Sequence, residues 1–462
     1  MSTPPLHVVI LAAGKGSRMR SNTPKVLHCI GGQSLVGHVV SSASQLAPQC
    51  IHVVVGHGKE QVMAELQQHD NASILNFVVQ EQQLGTGDAV NQALPHIPEE
   101  ANVLMLTADV PLIQSGTLKS LVNSMQSHTL TVLTADVDEP FGLGRITRDT
   151  TQAVSGIVEE KDASAEQKTI TEINSGIICA RKAPLGKWLA QIGNDNKQRE
   201  YYLTDAVGIA YDSGEPITTL KAIDNREING INDRIQLASA ERTYQKRRAE
   251  IMMLNGVTII DPSRIDIRGE VTIGVDTTID INIVIEGDTV IADNVRIGPN
   301  CVISNSQIGP NVQIHANTVI EDAVVGANSQ LGPFARLRPG TELEDGVKIG
   351  NFVETKNAKL SSGAKINHLS YVGDASVGKN TNIGAGVITC NYDGANKHHT
   401  SIGENVFVGS DCQLVAPVTI EDGATIGAGS TITNDVSANM LAISRGKQRE
   451  INGWQRPTKK KK

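Results

Sequence analysis

Aromatic residues are scarce in this chain, with Phe, Trp and Tyr together making 3% of its 462 positions. Its cores must therefore be built from Ile, Val, Leu and Ala. The six cysteines (Cys29, Cys50, Cys179, Cys301, Cys390, Cys412) include no C-x-x-C pair. Structural zinc and thioredoxin-like redox chemistry thus lack their usual spacing. Reduced thiols in a cytoplasmic protein are the simple expectation. Long apolar runs are also missing. The earliest, Val8 to Ala13, is six residues with no basic flank before it. That fits neither a signal peptide nor a bilayer span, so no membrane role is expected. Positive charge is in deficit, 41 Lys and Arg against 49 Asp and Glu, for a net −8. Such a balance argues against nonspecific nucleic-acid binding, although a local basic patch can still hold phosphates. Low complexity is confined to the tail Lys459 to Lys462, which reads as solvated charge.

The length is too great for one ordinary core, and repetition supplies the division. An aliphatic residue returns every sixth position at Ile273, Ile279, Ile285, Ile291, Ile297 and Ile303. After steps of five the phase resumes at Ile308, Ile314 and Ile320, then at Val325, Leu331, Leu337, Leu343 and Ile349. A last series runs Ile402, Val408, Leu414, Ile420, Ile426, Ile432. Six fits neither a helix nor plain strand alternation. It is the hexapeptide repeat of a parallel β-helix, in which three hexads close a coil and the aliphatic residue points inward. Ile273 to Ile432 spans 160 residues, enough for about nine coils and a prism roughly 43 Å long. The stretch Cys390 to Thr400 carries no hexad and should loop out, as functional excursions from a scaffold often do.

The first half reads differently. Val8–Leu11, His52–Val55, Val103–Leu106 and Leu130–Leu133 are short apolar runs that alternate with helical patterns. This is an α/β pattern with a mostly parallel sheet, whose ligands bind beyond the carboxyl ends of its strands. Asp233 to Met253 lacks Gly and Pro and mixes charges with spaced apolar residues, the pattern of a partly exposed linker helix. The expected division is therefore 1–232, a linker helix 233–253, and 254–462.

The loop Leu11 to Leu27 follows the first strand, and Gly14 and Gly16 would let backbone N–H groups approach a phosphate. It is no P-loop, because no Gly-Lys-Ser/Thr closes it, and Met19 stands where a dinucleotide fingerprint needs its third glycine. Arg18 and Lys25 add the side-chain charge a triphosphate requires. Asp109 follows the run Val103 to Leu106. A carboxylate there suits Mg²⁺ on phosphate oxygens, and it could equally cap the next helix.

The segments LAAGKGSRM, QLGTG (Gln83 to Gly87), EINSG (Glu172 to Gly176) and YYLTD (Tyr201 to Asp205) resemble the sugar nucleotidyltransferases. The segments GPFARLRPG, GNFVETKNAKL, NHLSYVGD, NIGAGVITCNYDG and AISR resemble the hexapeptide acyltransferases. In this order, over nearly the whole chain, they resemble the bacterial bifunctional N-acetylglucosamine-1-phosphate uridyltransferase/glucosamine-1-phosphate acetyltransferases. The resemblance implies a Rossmann-like nucleotidyltransferase domain followed by a left-handed parallel β-helix. It assigns Leu11, Ala12, Ala13, Gly14, Lys25, Gln80, Gly85 and Thr86 to UTP or uridine, gives Gly144, Glu159 and Asn174 to the sugar with Ala108 beside it, and counts Thr107 among the substrate- or nucleotide-binding residues. Asp109 and Asn232 would hold Mg²⁺, and Arg18 would face the departing pyrophosphate. One departure is Thr107-Ala108-Asp109, where the family often has Gly before the Asp; Ala108 adds a methyl where backbone nears ligand.

In the second half the resemblance makes His368 the general base, a role imidazole suits because it titrates near neutrality. It gives Arg338, Lys356, Tyr371 and Asn382 to glucosamine 1-phosphate, and Ala385, Asn391, Tyr392, Ser410, Ala428 and Arg445 to acetyl-CoA. It also implies a homotrimer and a role in supplying UDP-N-acetylglucosamine for cell-wall and outer-membrane polymers. Two other readings compete. One is a different sugar-1-phosphate nucleotidyltransferase whose β-helix is only structural, which His368 and the Asn391-Tyr392 loop argue against. The other is a non-catalytic scaffold, which the intact Gly14, Arg18, Lys25 and Asp109 argue against.

Overall fold

The computed structural model describes residues 4–459. Of the terminal lysine run, Lys460–Lys462 therefore lie outside the described residues. One compact unit ends at Tyr244 and a second begins at Gln245. The boundary falls inside a helix, Arg234–Leu254. No helix among the described residues is long and apolar enough to cross a membrane, and all six cysteines are free.

The first unit is organised by a twisted sheet. Its strands are β1 (Leu6–Ala12), β2 (Cys50–Val55), β3 (Leu75–Val79), β4 (Asn102–Thr107), β5 (Leu130–Asp136), β6 (Glu172–Arg181) and β7 (Ile217–Lys221). They lie in the order β7-β5-β6-β4-β1-β2-β3. All pairings along it are parallel except those of β6 with β4 and β5. The central strands are near-continuous aliphatic runs because both faces are covered, as parallel sheets require; Val8, Val9 and Ile10 have no exposed surface. Register places Leu11 beside Thr107 and Ala12 beside Val55, so the carboxyl ends of β1, β2 and β4 share one edge. On β6 the register slips between Asn174 and Ile178, next to Gly176 at φ +79°. Such a bulge re-aims neighbouring side chains. Helices α1 (Leu35–Ser44), α2 (Thr86–Ala93) and α3 (Ser115–Asn123) belong to the layers that cover the sheet.

The second unit is the left-handed parallel β-helix, and its interior is the aliphatic set that the hexads mark. Same-phase residues stand side by side at offsets of 17 or 18: Ile279 with Ile297, Ile297 with Ile314, Leu331 with Ile349. One 11-stranded face runs from Thr258–Ile259 to Leu441–Ala442, so the prism extends past both ends of the repeat seen in sequence. Between Ile383 and Val408 the offset is 25. The extra residues form the expected excursion, closed by an antiparallel bridge between Tyr392 and Lys397. At one corner of successive coils the backbone is left-handed at Asn282, Asn300, Asn317, Phe334, Phe352 and Leu369. Asn tolerates that conformation; Phe and Leu adopt it at a cost of about 1–2 kcal/mol each.

Near the amino ends of β1 and β2 lies a buried histidine pair. His7 Nδ1 and His52 Nε2 are 3.0 Å apart, and His52 Nδ1 meets the Asn76 amide at 3.0 Å. Burial, then the nearby His7 and His96, push His52 down to about 4. The fold thus favours the neutral ring. Its contribution is complete above the unfolded value near 6.5 and is lost as pH falls toward 4. A shift of this size is worth about 3 kcal/mol. The first unit should therefore lose melting temperature between pH 7 and pH 4.5, and His52→Asn should flatten that loss. Equal acid sensitivity of parent and variant in calorimetry would contradict it.

Candidate active sites

At the carboxyl edge of the first unit's sheet are two adjoining cavities, of about 770 and 750 Å³. The first is walled by Leu11–Lys15, Lys25, Gln80, Gly85, Thr86, Thr107 and Asp109. The second is walled by Arg18, Gly144, Glu159, Asn174 and Asn232 and shares Thr86, Thr107 and Asp109 with the first. Every residue that the sequence assigned to this half therefore lines a cavity, except Ala108 and Gly16. Ala108 is 1% exposed and packs in the aliphatic core, while its N–H donates to the Leu11 carbonyl. Its methyl is directed into the interior, so the departure from Gly leaves the cavity surface unchanged.

The loop glycines have different tasks. A Cβ on Gly14 would meet nothing within 4 Å, so its backbone is open to a ligand. Gly16, at φ +57°, has the Lys25 side chain against it, and a Cβ there would come 2.4 Å from Lys25 Cβ. Its role is to let Lys25 lie close. The Lys25 ammonium is 2.5 Å from Asp109 Oδ2 and donates to Asn232 Oδ1 at 3.1 Å. Arg18 donates to the same Asn232 oxygen at 2.8 Å. Two hard oxygens thus converge on a cation, here an ammonium, which is the donor set a divalent metal takes.

Gln80, 3% exposed, donates its amide to Asp88 at 2.7 Å and to the Gly85 carbonyl at 3.2 Å. Its amide oxygen is left to accept from a base. Gly85 packs against the backbone of Tyr201, which a Cβ would strike at 2.5 Å. In the second cavity Glu159 accepts from the Thr204 hydroxyl at 3.1 Å. Burial, only partly offset by that bond, and the neighbouring Asp205 and Asp162 hold its carboxyl above the ordinary value. A half-buried carboxylate facing a cavity in this way is suited to sugar hydroxyls.

The second unit presents its candidates as a column. His368 pairs with Asn351 in register. The next positions at coil spacing are Ala385, Ser410, Ala428 and Arg445, tied together by Gly386 N–H to His368 O, Asp411 N–H to Ala385 O and Gly429 N–H to Ser410 O. Arg445 donates to the Ala428 carbonyl at 2.9 Å. The expected base and four of the expected acyl-donor contacts therefore form one edge of the prism. His368 is exposed, and its Nδ1 meets Asn351 Oδ1 at 2.9 Å. An amide oxygen facing Nδ1 makes that nitrogen the donor and leaves the lone pair on Nε2. Asn351 thus sets the tautomer, and the motif reading had missed it.

Beside this edge lies a cationic cluster. Arg338 is bonded to Glu354 at 2.7 Å. The facing Lys397 ammonium, then Arg338, push Lys356 below the usual lysine value. Lys397 comes from the excursion and was not singled out in the sequence. Two ammonium groups held together are poised for a dianion. Asp374 organises the region, accepting from Asn357 at 2.6 Å and from Asn391 at 2.5 Å. Burial opposes its ionisation, but those amides with Lys397 and Lys356 prevail and its pKa lies below the ordinary value. Asn391 also reaches the Tyr371 hydroxyl at 3.4 Å. Tyr392 is 60% exposed. Asn382 stands apart from this cluster, on the neighbouring face between Lys365 and Phe407.

The fold and these two sites define a nucleotidyltransferase domain joined to a hexapeptide-repeat transferase domain. The MobA-like NTP transferase domain family matches residues 8–172, the GMPPB C-terminal domain family 267–343, and the bacterial transferase hexapeptide (six repeats) family 399–434. Bifunctional protein GlmU of Marinobacter nauticus is 54% identical over 455 residues, covering 98% of this chain and 99% of that protein. Its namesake from Cellvibrio japonicus is 55% identical over 455 residues, covering 98% and 100%. A solved UDP-glucose pyrophosphorylase complexed with UDP-glucose is 18% identical over 53% of this chain and 100% of its own, with a TM-score of 0.43. The chain belongs to the GlmU family and is a bifunctional enzyme, a nucleotidyltransferase and an acetyltransferase.

If Gly16 exists to seat Lys25, Gly16→Ala must displace that ammonium. Calorimetry should show nucleoside triphosphate binding weakened about tenfold, with melting of the β-helix unit unchanged. Parental affinity would show that Lys25 needs no such seat.

Proposed function

We propose that the enzyme carries out two reactions in series, each on the residues described for its unit. In the second unit, His368 Nε2 takes a proton from the ammonium of glucosamine 1-phosphate. The freed amine attacks the thioester carbonyl of acetyl-CoA, the C–S bond breaks, and the thiol of CoA leaves with N-acetylglucosamine 1-phosphate formed. Arg338, Lys356 and Lys397 bind the sugar phosphate with Tyr371. The Asn391–Tyr392 turn and the edge Ala385, Ser410, Ala428 and Arg445 receive acetyl-CoA. The observation that carries this reading is the placement of His368 on the same prism edge as those acyl-donor positions, with its tautomer set by Asn351.

In the first unit the phosphate of N-acetylglucosamine 1-phosphate attacks the α-phosphorus of UTP and pyrophosphate leaves, giving UDP-N-acetylglucosamine. Gln80 accepts from uracil, the open backbone at Gly14 approaches the phosphates, and Gly144, Glu159 and Asn174 hold the sugar. Lys25 turns from Asp109 to the phosphates when nucleotide binds, and Arg18 stabilises the leaving pyrophosphate. Asp109 and Asn232 fit Mg²⁺, which when bound would neutralise phosphate oxygens. Catalysis is in-line positioning and charge stabilisation, with no covalent enzyme intermediate.

The second unit acts as a homotrimer. Phe334, Phe352 and Leu369 support this reading: they are 50, 54 and 63% exposed, and the two rings stack at 5.2 Å. They hold the left-handed corner where Asn stands in earlier coils, and Leu369 adjoins His368. An exposed apolar ladder held at a conformational cost fits burial against another copy, and ring closure gives cyclic symmetry. Acetyl-CoA and Asn382 then meet the His368 edge across neighbouring copies.

His368→Ala should abolish acetyl transfer and leave uridylyl transfer within about twofold, whereas Asp109→Ala should do the reverse by at least about a hundredfold. Loss of both activities in either folded variant would contradict separate sites. Phe352→Ser should lower the mass seen by light scattering from trimer to monomer and remove acetyl transfer first. A trimeric, fully active variant would refute the assembly.

A further inference from the structure

Glu227 is a buried carboxylate with no part in the chemistry above. It is 3% exposed and accepts from the Gln114 N–H at 3.2 Å, the Gln114 amide at 2.8 Å and the Thr117 hydroxyl at 2.7 Å. These donors surround the start of α3, whose N-cap residue Gln114 makes no side-chain cap of its own. The cap therefore comes from a segment 113 positions away in sequence, at a helix end where orphan N–H groups and the dipole favour an anion.

The geometry of that segment gives the cap a consequence. Four residues beyond Glu227, the Ile231 N–H donates to the Asp109 carbonyl at 2.9 Å. Ile228 and Ile231 between and at these points are 6% and 1% exposed. The next residue is Asn232. Asp109 lies on the connection from β4 to α3, so the chain carrying Asn232 is pinned to the chain carrying Asp109 at two places, one at each end of 227–231. The two oxygens that meet the Lys25 ammonium sit just outside the second pin.

We propose that Glu227 is a positioning residue for the metal site, fixing Asn232 opposite Asp109 so that the pair is preorganised before nucleotide and metal arrive. This rests on the reading of Asp109 and Asn232 as the metal ligands. Without the carboxylate, the segment 224–232 loses its tie to the start of α3 and keeps the Ile231 pin and, farther from Asn232, the bond from the Asn225 amide to the Asp136 carbonyl, so ordering Asn232 must be done at the expense of metal binding. Affinity for UTP itself, which the opposite wall of the cavity provides, is unaffected.

The test uses the full-length enzyme. Mg²⁺ is titrated calorimetrically into enzyme saturated with UTP, and UTP is titrated separately in the presence of a chelator. Glu227→Ala should weaken Mg²⁺ binding about tenfold, and Thr117→Val, which removes one of three donors and keeps the carboxylate, about threefold. Metal-free UTP affinity and acetyl transfer should match the parent in both. If Glu227→Ala is too unstable, Thr117→Val alone decides. Parental Mg²⁺ affinity in the folded variants would overturn the proposal, as would an equal fall in metal-free UTP affinity, which would mean general loosening of the domain. Asp109→Asn separates the two levels. Weakened Mg²⁺ binding there with parental affinity in Glu227→Ala defeats the positioning role alone, whereas parental affinity in Asp109→Asn defeats the metal-site reading beneath it.

Discussion

In a parallel pair, each residue stands beside one that a whole crossover separates from it in sequence, and both halves of this chain place their chemistry through that pairing. In the first unit, β1 between β2 and β4 sets the Gly14 loop beside the Thr107–Asp109 turn, because Leu11 and Thr107 are partners. In the second, pairing at one-coil offsets converts a position in the repeat into an edge. His368, Ala385, Ser410, Ala428 and Arg445 align because each occupies the same step of its coil. A slip of one residue in either register would turn these side chains to another face, so the dense aliphatic interior that fixes register also fixes the sites.

The net negative charge of the chain makes its cationic groups more informative, and the two sites handle them oppositely. Lys25 lies against Asp109, so a cation is already compensated where metal and triphosphate would exchange places. Lys356 and Lys397 lie against each other, with Asp374 4.0 Å from the Lys397 ammonium. There the two ammonium groups oppose each other and are only partly offset by Asp374, an arrangement that an added anion would relieve. The contrast follows the two activities of the enzyme, nucleotidyl transfer in one half and acetyl transfer in the other.

What could be read from sequence was what is local or periodic. The hexads announced the prism and its excursion because each coil repeats the same burial, and the apolar runs announced strands buried on both faces. Motif segments supplied the cavity residues because short loops carry them. Long-range hydrogen bonding was not legible. Nothing near Asp109 showed whether it caps α3 or faces the cavity; the cap is Glu227, from the far end of the domain, and Asp109 is left to meet Lys25. Lys397 lay within the recognised excursion, yet only the bridge from Tyr392 to Lys397 brings its ammonium to Lys356. Ala108 was visible as a departure from the family pattern, but its direction was not. It lies in the turn after β4, between two cavity-lining residues, and only the packing of that turn shows that its methyl joins the core.

The central claim is that one chain makes UDP-N-acetylglucosamine by acetyl transfer followed by uridylyl transfer. Its most direct test is mass spectrometry of a single mixture of the full-length protein with glucosamine 1-phosphate, acetyl-CoA, UTP and Mg²⁺. The account predicts UDP-N-acetylglucosamine, free CoA and pyrophosphate in equal amounts. Accumulation of N-acetylglucosamine 1-phosphate without the nucleotide sugar would contradict the first-unit site, and the absence of both compounds from folded protein would contradict the whole account.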